Sequence, residues 1–227
     1  MADKISNARR KELEQPDPFL ESVYKTLDTA KKIKKQLIVG STIIASIICI
    51  ISITIYTINS AETKASLILN NAIKAYKIHT EPAKGYEAVK EQFNTLLNDY
   101  PNTSSGKAGK VRFADICYAA KQYDAAYQNY TSALDDFKND PIMKNIILAS
   151  LGHTCQELKK YEEAEKYFKT ITDGNSKLMK DDALFNLGMV AIANGDNKKG
   201  IDFLKSLSSE YEDSIYKLIA DDIIARN

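Results

Sequence analysis

Hydrophobic and polar positions change rhythm along the chain. From Leu37 to Ile58 there is no rhythm: LIVGSTIIASIICIISITIYTI runs for 22 positions without a charge. At ~1.5 Å rise per residue a helix of that length reaches roughly 33 Å, against ~30 Å of bilayer hydrocarbon. Its Ile residues are β-branched and poor helix formers in water, but lipid forces backbone groups to bond internally, so helix is the one solution open to a single segment. The stretch predicts a transmembrane helix at 37–58. Before it, Phe19, Val23, Leu27, Ala30 and Ile33 recur at three- and four-residue spacing. A cytoplasmic tail, broken by Pro16 and Pro18, and a juxtamembrane amphipathic helix are expected over 1–36.

After the span the pattern turns helical and then repeats. Ala61 to Ile78 predicts a helix burying Leu67, Ala72, Ile73 and Tyr76; a link with Pro82 and Gly85 follows, then a second helix from Tyr86 to Tyr100. That hairpin recurs as VRFADICYAAKQYDAAYQNYTSAL from Val111, ILASLGHTCQELKKYEEAEKYFKTI from Ile147 and ALFNLGMVAIANGDNKKGIDFLKSL from Ala183. In register, Phe113, Leu151 and Leu187 are the large residue of each first helix, Ala114, Gly152 and Gly188 the small one, and Cys117, Cys155 and Ala191 lie one turn on. The second helices align Ala126, Ala164 and Gly200, then Tyr130, Phe168 and Leu204, then Ala133, Ile171 and Leu207. Small residues let paired helices approach, and the large ones fill the space between stacked pairs. One hairpin cannot bury such a face alone, so the architecture expected over 61–227 is an all-α antiparallel helix-pair solenoid. Ser214 to Ala225 is its expected capping helix, with Ile215, Leu218, Ile219 and Ile223 inward.

Charge adds orientation. The chain has 31 Lys+Arg and 30 Asp+Glu. Lys31, Lys32, Lys34 and Lys35 precede the span, and the first base after it is Lys64. By the positive-inside rule the N-terminus stays cytoplasmic and everything after Ile58 is translocated. A cleavable signal peptide fits poorly, because the apolar run is long, begins late and lacks small residues before a cut. The near-neutral remainder carries no basic footprint for nucleic acid.

No chemistry stands out. The chain has no phosphate loop, GxSxG or HExxH, and neither His79 nor His153 has a second ligand at metal spacing, so no catalysis, cofactor, metal or small-molecule substrate is expected. Asp181-Asp182 and Asp221-Asp222 read as a helix start and a polar capping face rather than acid/base pairs. Cys117 and Cys155 occupy equivalent positions on neighbouring repeats. Parallel helices there stand ~8 to 10 Å apart, beyond the ~7 Å that a disulfide bridges, so two buried thiols are expected.

The copy LGHTCQELKKYEEAEKYFKTI resembles a tetratricopeptide repeat, and the likeness extends over roughly Tyr86 to Leu207. It departs from the pattern at Lys77, in the small-residue column, and at Asn197, where Tyr123 and Tyr161 stand in the other copies. A basic tail, one span and a translocated repeat array together are similar to the YfgM-like family, the ancillary subunit of the Sec translocon. That resemblance implies a single-pass protein of the bacterial inner membrane whose periplasmic repeats meet the translocon, periplasmic chaperones or translocating polypeptides. The repeat type is shared with cell-division coordinators of the Tol-Pal system, so an envelope scaffold for division or outer-membrane assembly is the alternative.

In this repeat type the first helices line a concave groove. Its expected protein-binding residues are Val111, Asp115 and Tyr118, then Ala149, His153 and Gln156, then Phe185, Met189 and Ile192. The set is mostly apolar and aromatic, suited to a peptide or helix and unlike a basic clamp for acidic C-termini. Phe185 and Met189 stand equally well as residues packed under the capping helix.

Overall fold

The computed structural model describes residues 17–226, and the tail residues before Asp17 lie outside it. Among the described residues there are ten α-helices and no strand. They fall into two compact units, the second beginning at Asn59.

In the first unit α1 covers Pro18–Lys32. Asp17 caps it, its carboxylate accepting from the Phe19 amide at 2.9 Å, and Pro18 takes the first helical position. There the missing N–H costs nothing, so Pro18 opens this helix and does not break it. α2 covers Lys34–Lys77 and is long and apolar enough to cross a membrane. No side chain between Leu37 and Ile58 is buried.

The second unit takes the rest of α2, from Asn59, and continues with α3 (Pro82–Asp99), α4 (Ser104–Ala119), α5 (Tyr123–Asp136), α6 (Pro141–Glu157), α7 (Tyr161–Thr172), α8 (Lys180–Ala193), α9 (Asn197–Glu210) and α10 (Lys217–Arg226). From α3 onward each helix packs on the next in sequence, the local connectivity of a helix-pair solenoid. In the second, third and fourth copies the large, small and following columns of the first helices and the three aligned columns of the second helices are buried throughout, while Tyr123 and Tyr161 are half-buried and Asn197 is exposed. Gly152 lies under the Phe168 ring, where an added Cβ would stand 2.5 Å from Cζ, and Gly188 lies under Leu204 in the same way at 2.7 Å.

The first pair reverses this arrangement. Here the glycine is on the second helix: Gly85 of α3 faces Tyr76 of α2, with 2.7 Å to an added Cβ. The link expected around Pro82 and Gly85 is therefore helix, with Pro82 at its first position and Gly85 making room for a ring. Leu67, expected inside, is 62% exposed, because the buried stripe of α2 runs through Ala65, Ile68, Leu69, Ala72 and Tyr76.

Three turns between first and second helices are superimposable in their hydrogen bonding. Lys121, Lys159 and Gly195 each have positive φ, at 60°, 57° and 88°. The amides of Lys121 and Gln122 donate to Tyr118 and Cys117, those of Lys159 and Lys160 to Gln156 and Cys155, and those of Gly195 and Asp196 to Ile192 and Ala191. These are Schellman closures, whose left-handed residue is usually glycine. Lysine holds that position twice against a Cβ clash. Lys121→Gly and Lys159→Gly are each expected to raise stability by roughly 0.5–1 kcal/mol, read as a higher urea midpoint, with Lys→Ala giving less.

Glu62 of α2 supplies the missing partners at the start of α4. Its carboxylate accepts from the Ser104 amide at 2.7 Å, the Ser105 amide at 2.9 Å and the Ser105 hydroxyl at 2.6 Å. The Ser105 hydroxyl above all, then the two amides, hold Glu62 below the usual carboxylate range despite its partial burial. A depressed carboxylate contributes stability above its unfolded pKa of ~4.3 and loses it as pH falls through the folded value. Glu62→Gln is thus expected to lower the urea midpoint at pH 7, and the gap to the wild type should narrow as pH falls through the carboxylate range. An equal gap at every pH would show that shape, not charge, makes the contact.

Candidate functional site

The first helices of the second and third pairs bring two expected residues together. Tyr118 of α4 and His153 of α6 line a pocket of about 100 Å³, with Tyr130 of α5 and Ser150 of α6 as its other walls. Successive helices α4, α5 and α6 stack here, so side chains more than 30 positions apart in sequence meet across one repeat boundary.

Tyr130 joins Asp115 to the same site. Its hydroxyl donates to Asp115 Oδ1 at 2.7 Å, while Arg112 approaches Oδ2 at 3.6 Å. Burial pushes the Asp115 carboxyl above its ordinary range, against the lowering effect of Tyr130 and Arg112. Burial first, then the bond to Asp115, pushes the Tyr130 phenol up as well, so it remains a donor at physiological pH. Tyr118 meets Tyr123 edge to face at 5.4 Å, and Tyr118 is raised by burial and by the Glu157 charge. His153 leans on the edge of Phe168 at 5.3 Å, and its Nδ1 lies 3.1 Å from Gln156 Oε1. The result is a small aromatic pocket with a phenol, a hydroxyl and an imidazole at its rim, suited to holding a side chain.

The other expected residues are placed differently. Val111 is half-buried against the core of the first two pairs. Ala149 is buried beside Leu148, Leu187 and Val190, because α6 is packed by α5 on one side and α7 on the other and is apolar almost all round. Phe185 stacks on Tyr216 at 4.8 Å, which places it under the segment entering α10. Ile192 packs over Gly200, between α8 and α9. Met189 is half-buried on α8.

Two pocket residues, Tyr130 and Ser150, were not among those expected. Tyr130 belongs to the buried column that holds Phe168 and Leu204, and the signal lay in its hydroxyl: a buried phenol needs a polar partner, and Asp115 is one helix away. The pair Asp181-Asp182 is not merely a solvated helix start. Asp181 accepts from the Ser214 hydroxyl at 2.8 Å and Asp182 from the Tyr216 hydroxyl at 2.7 Å, so both hold the capping segment.

Cys117 and Cys155 are buried, and burial pushes their thiols up to about 12 and about 11. They stay protonated and act as packing residues. Among the described residues no cluster of His, Cys, Asp or Glu is arranged to hold a metal ion.

Two stretches match models of the tetratricopeptide repeat, residues 147–173 and 182–214. They are the third and fourth copies; the reversed first pair lies outside both. No curated protein matches the chain. Among solved structures, it is similar to a tetratricopeptide repeat protein from Parabacteroides merdae ATCC 43184 (15% identity, TM-score 0.58), over 71% of this chain and 59% of that one. It is also similar to a Podosopora anserina protein of nearly identical TPR-like repeats, a candidate kinesin light chain (12% identity, TM-score 0.57), over 73% of this chain and 85% of that one. The chain thus spans about three fifths of the length of the first of these structures. At such identity the likeness is one of fold. Together with the matched repeats it supports a tetratricopeptide-repeat protein, a fold that typically serves as a non-enzymatic scaffold for protein interaction.

Proposed function

We propose that this chain is a membrane-anchored interaction module that holds other proteins beside a translocation site in the bacterial inner membrane. Leu37 to Ile58 is the anchor, the lysines before it keep the N-terminus cytoplasmic, and the repeats from residue 61 onward lie in the periplasm. The observation that carries the binding role is the pocket shared by Tyr118, Tyr130, Ser150 and His153, which spans two repeats and is open at its aromatic rim. An extended peptide or a helix from a translocon subunit, a periplasmic chaperone or an emerging polypeptide would seat one side chain there.

The test is photo-crosslinking in intact cells from a photoreactive residue at position 118 of the full chain. Adducts with translocon subunits or a periplasmic chaperone support the reading. Adducts with division or outer-membrane assembly proteins would replace it with an envelope scaffold, and the absence of any adduct would remove the groove as the binding surface. Tyr118→Ala is expected to reduce co-purification of the same partners about tenfold, the ~1.4 kcal/mol loss of one well-placed aromatic anchor. Its urea midpoint should fall modestly, because Tyr118 also packs on Tyr123 and against the core of the first pairs, so co-purification is compared in the absence of denaturant, where the variant is folded.

A further inference from the structure

The apolar side of α1 is left open to the surroundings. Phe19, Val23 and Leu27 are 72%, 37% and 50% exposed, and half-buried Ala30 follows them one turn on. At about 100° per residue these four fall within one stripe of roughly 80°, while Glu21, Lys25, Asp28 and Lys32 take the opposite side. One helix of 15 residues thus carries an apolar face and a charged one. Ile33 then interrupts it, with φ −98° and ψ 9°, and α2 starts at Lys34. A groove of about 360 Å³ crosses the interruption, lined by Lys25, Thr26, Thr29 and Ala30 of α1, Ile33 itself and Leu37 of α2. The two helices therefore share a concave side, and Ala30 belongs both to it and to the apolar stripe.

We propose that α1 lies along the cytoplasmic surface of the membrane, its apolar stripe among the acyl chains and its lysines on anionic phospholipid headgroups. The inference rests on the reading that Leu37 to Ile58 spans the bilayer. Ile33 stands four residues before Leu37, ~6 Å from the hydrocarbon edge at 1.5 Å per residue, the level at which interfacial helices lie. The interruption falls where a chain that crosses the membrane would turn to lie on it, and the shared concave side is the one such a turn presents to lipid. Covalent continuity with the span also keeps the stripe beside the bilayer, so its effective concentration there is high. Charge selects the lipid. From Pro18 to Gln36 there are five lysines and two acidic residues. Lys25 pairs with Glu21 at 2.9 Å and Lys31 approaches Asp28 at 4.0 Å, while Lys32, Lys34 and Lys35 have no acidic partner among the described residues. Such a cluster at headgroup level favours anionic over zwitterionic lipid. The same lysines disfavour a second copy, because two chains anchored in one direction would pair α1 in parallel and set these charges against each other.

The experiment uses the full chain with Cys49→Ser, reconstituted in phosphatidylcholine vesicles with or without about 30% phosphatidylglycerol in both leaflets, so the direction of insertion does not matter. A fluorophore is attached at Val23→Cys, Lys25→Cys or Ile47→Cys; Cys117 and Cys155 are buried. The readout is quenching by a lipid-borne quencher divided by quenching by aqueous acrylamide. With phosphatidylglycerol this ratio is expected to be about fivefold higher at position 23 than at position 25. Without it, or with Lys32, Lys34 and Lys35 replaced by glutamine, the two positions should come within about twofold of each other. Equal ratios in the anionic vesicles, the same excess at position 23 in both lipid mixtures, or shielding of position 23 only after cytosolic extract is added would each overturn the proposal. Position 47 separates the two readings. Lipid quenching there beside equal ratios at 23 and 25 rejects the surface helix alone, whereas acrylamide access at position 47 rejects the span itself.

Discussion

Phe168→Ala is expected to destabilise the repeat unit by about 3–5 kcal/mol, the range for emptying a fully buried aromatic site. Phe168 is wholly buried and forms part of the core between the third and fourth pairs. Its ring covers Gly152 and supports the edge of His153, so the cavity opens on the side of the Tyr118 pocket. In an array stabilised by nearest neighbours, the damage is not spread evenly. α8 and α9 lose their coupling to the pairs before them, and unfolding should split into two transitions, the C-terminal pair melting first. Far-UV circular dichroism against urea reads both the shift and the split. Phe168→Leu should cost less than half as much, since Leu204 fills the equivalent place over Gly188. Gly152→Ala overpacks the same contact and costs about 1–3 kcal/mol alone. Combined with Phe168→Ala it should cost less than the sum, because the new methyl enters the vacated space. A single cooperative transition displaced by under ~1 kcal/mol would mean that the pairs are not held through this ring.

The repeat columns were legible because they recur: Phe113, Leu151 and Leu187, or Ala133, Ile171 and Leu207, are each tested several times by one chain, and all are buried. Where a feature occurs once, the pattern misleads. Leu67 looks like a core residue by spacing, yet the start of α2 obeys a different stripe, and Gly85 serves Tyr76 where Lys77 breaks the small-residue column. The turns were hidden for another reason. Gly195 announces its left-handed conformation, but Lys121 and Lys159 adopt it under cover of an ordinary residue type. α10 exposes the limit of periodicity itself. Leu218 and Ile219, with Ile215 just before the helix, make one apolar set and Ala220, Ile223 and Ile224 another, and spacing alone does not say which meets α9. Of the expected groove, Tyr118, Asp115 and His153 converge because they sit on neighbouring first helices at the same height. Ala149 and Ile192 are drawn into packing by elements whose position no spacing rule supplies, while Phe185 stacks on Tyr216, under the capping segment, which was one of its two expected places.

Ile47→Arg with Ile51→Arg is expected to expel the chain from the membrane fraction. The two positions lie one turn apart near the middle of Leu37 to Ile58, and each arginine costs ~2.5–3.5 kcal/mol at a helix centre, about 5–7 kcal/mol together. That exceeds what snorkelling recovers so far from either interface. Neither isoleucine is buried, so the substitution removes no packing from the repeats, and their urea midpoint and protease fragments should be unchanged. Carbonate extraction of fractionated cells separates the outcomes. A chain that spans the bilayer moves from the pellet to the supernatant, with its repeats retained in the cytoplasm and the position-118 adducts lost. A chain that merely adsorbs through Lys31 to Lys35, or one held only by its repeats, would already be released from the wild type by carbonate. Replacing Lys31, Lys32, Lys34 and Lys35 with glutamine probes orientation separately. Part of the population should then invert, leaving a C-terminal tag protected from external protease in spheroplasts.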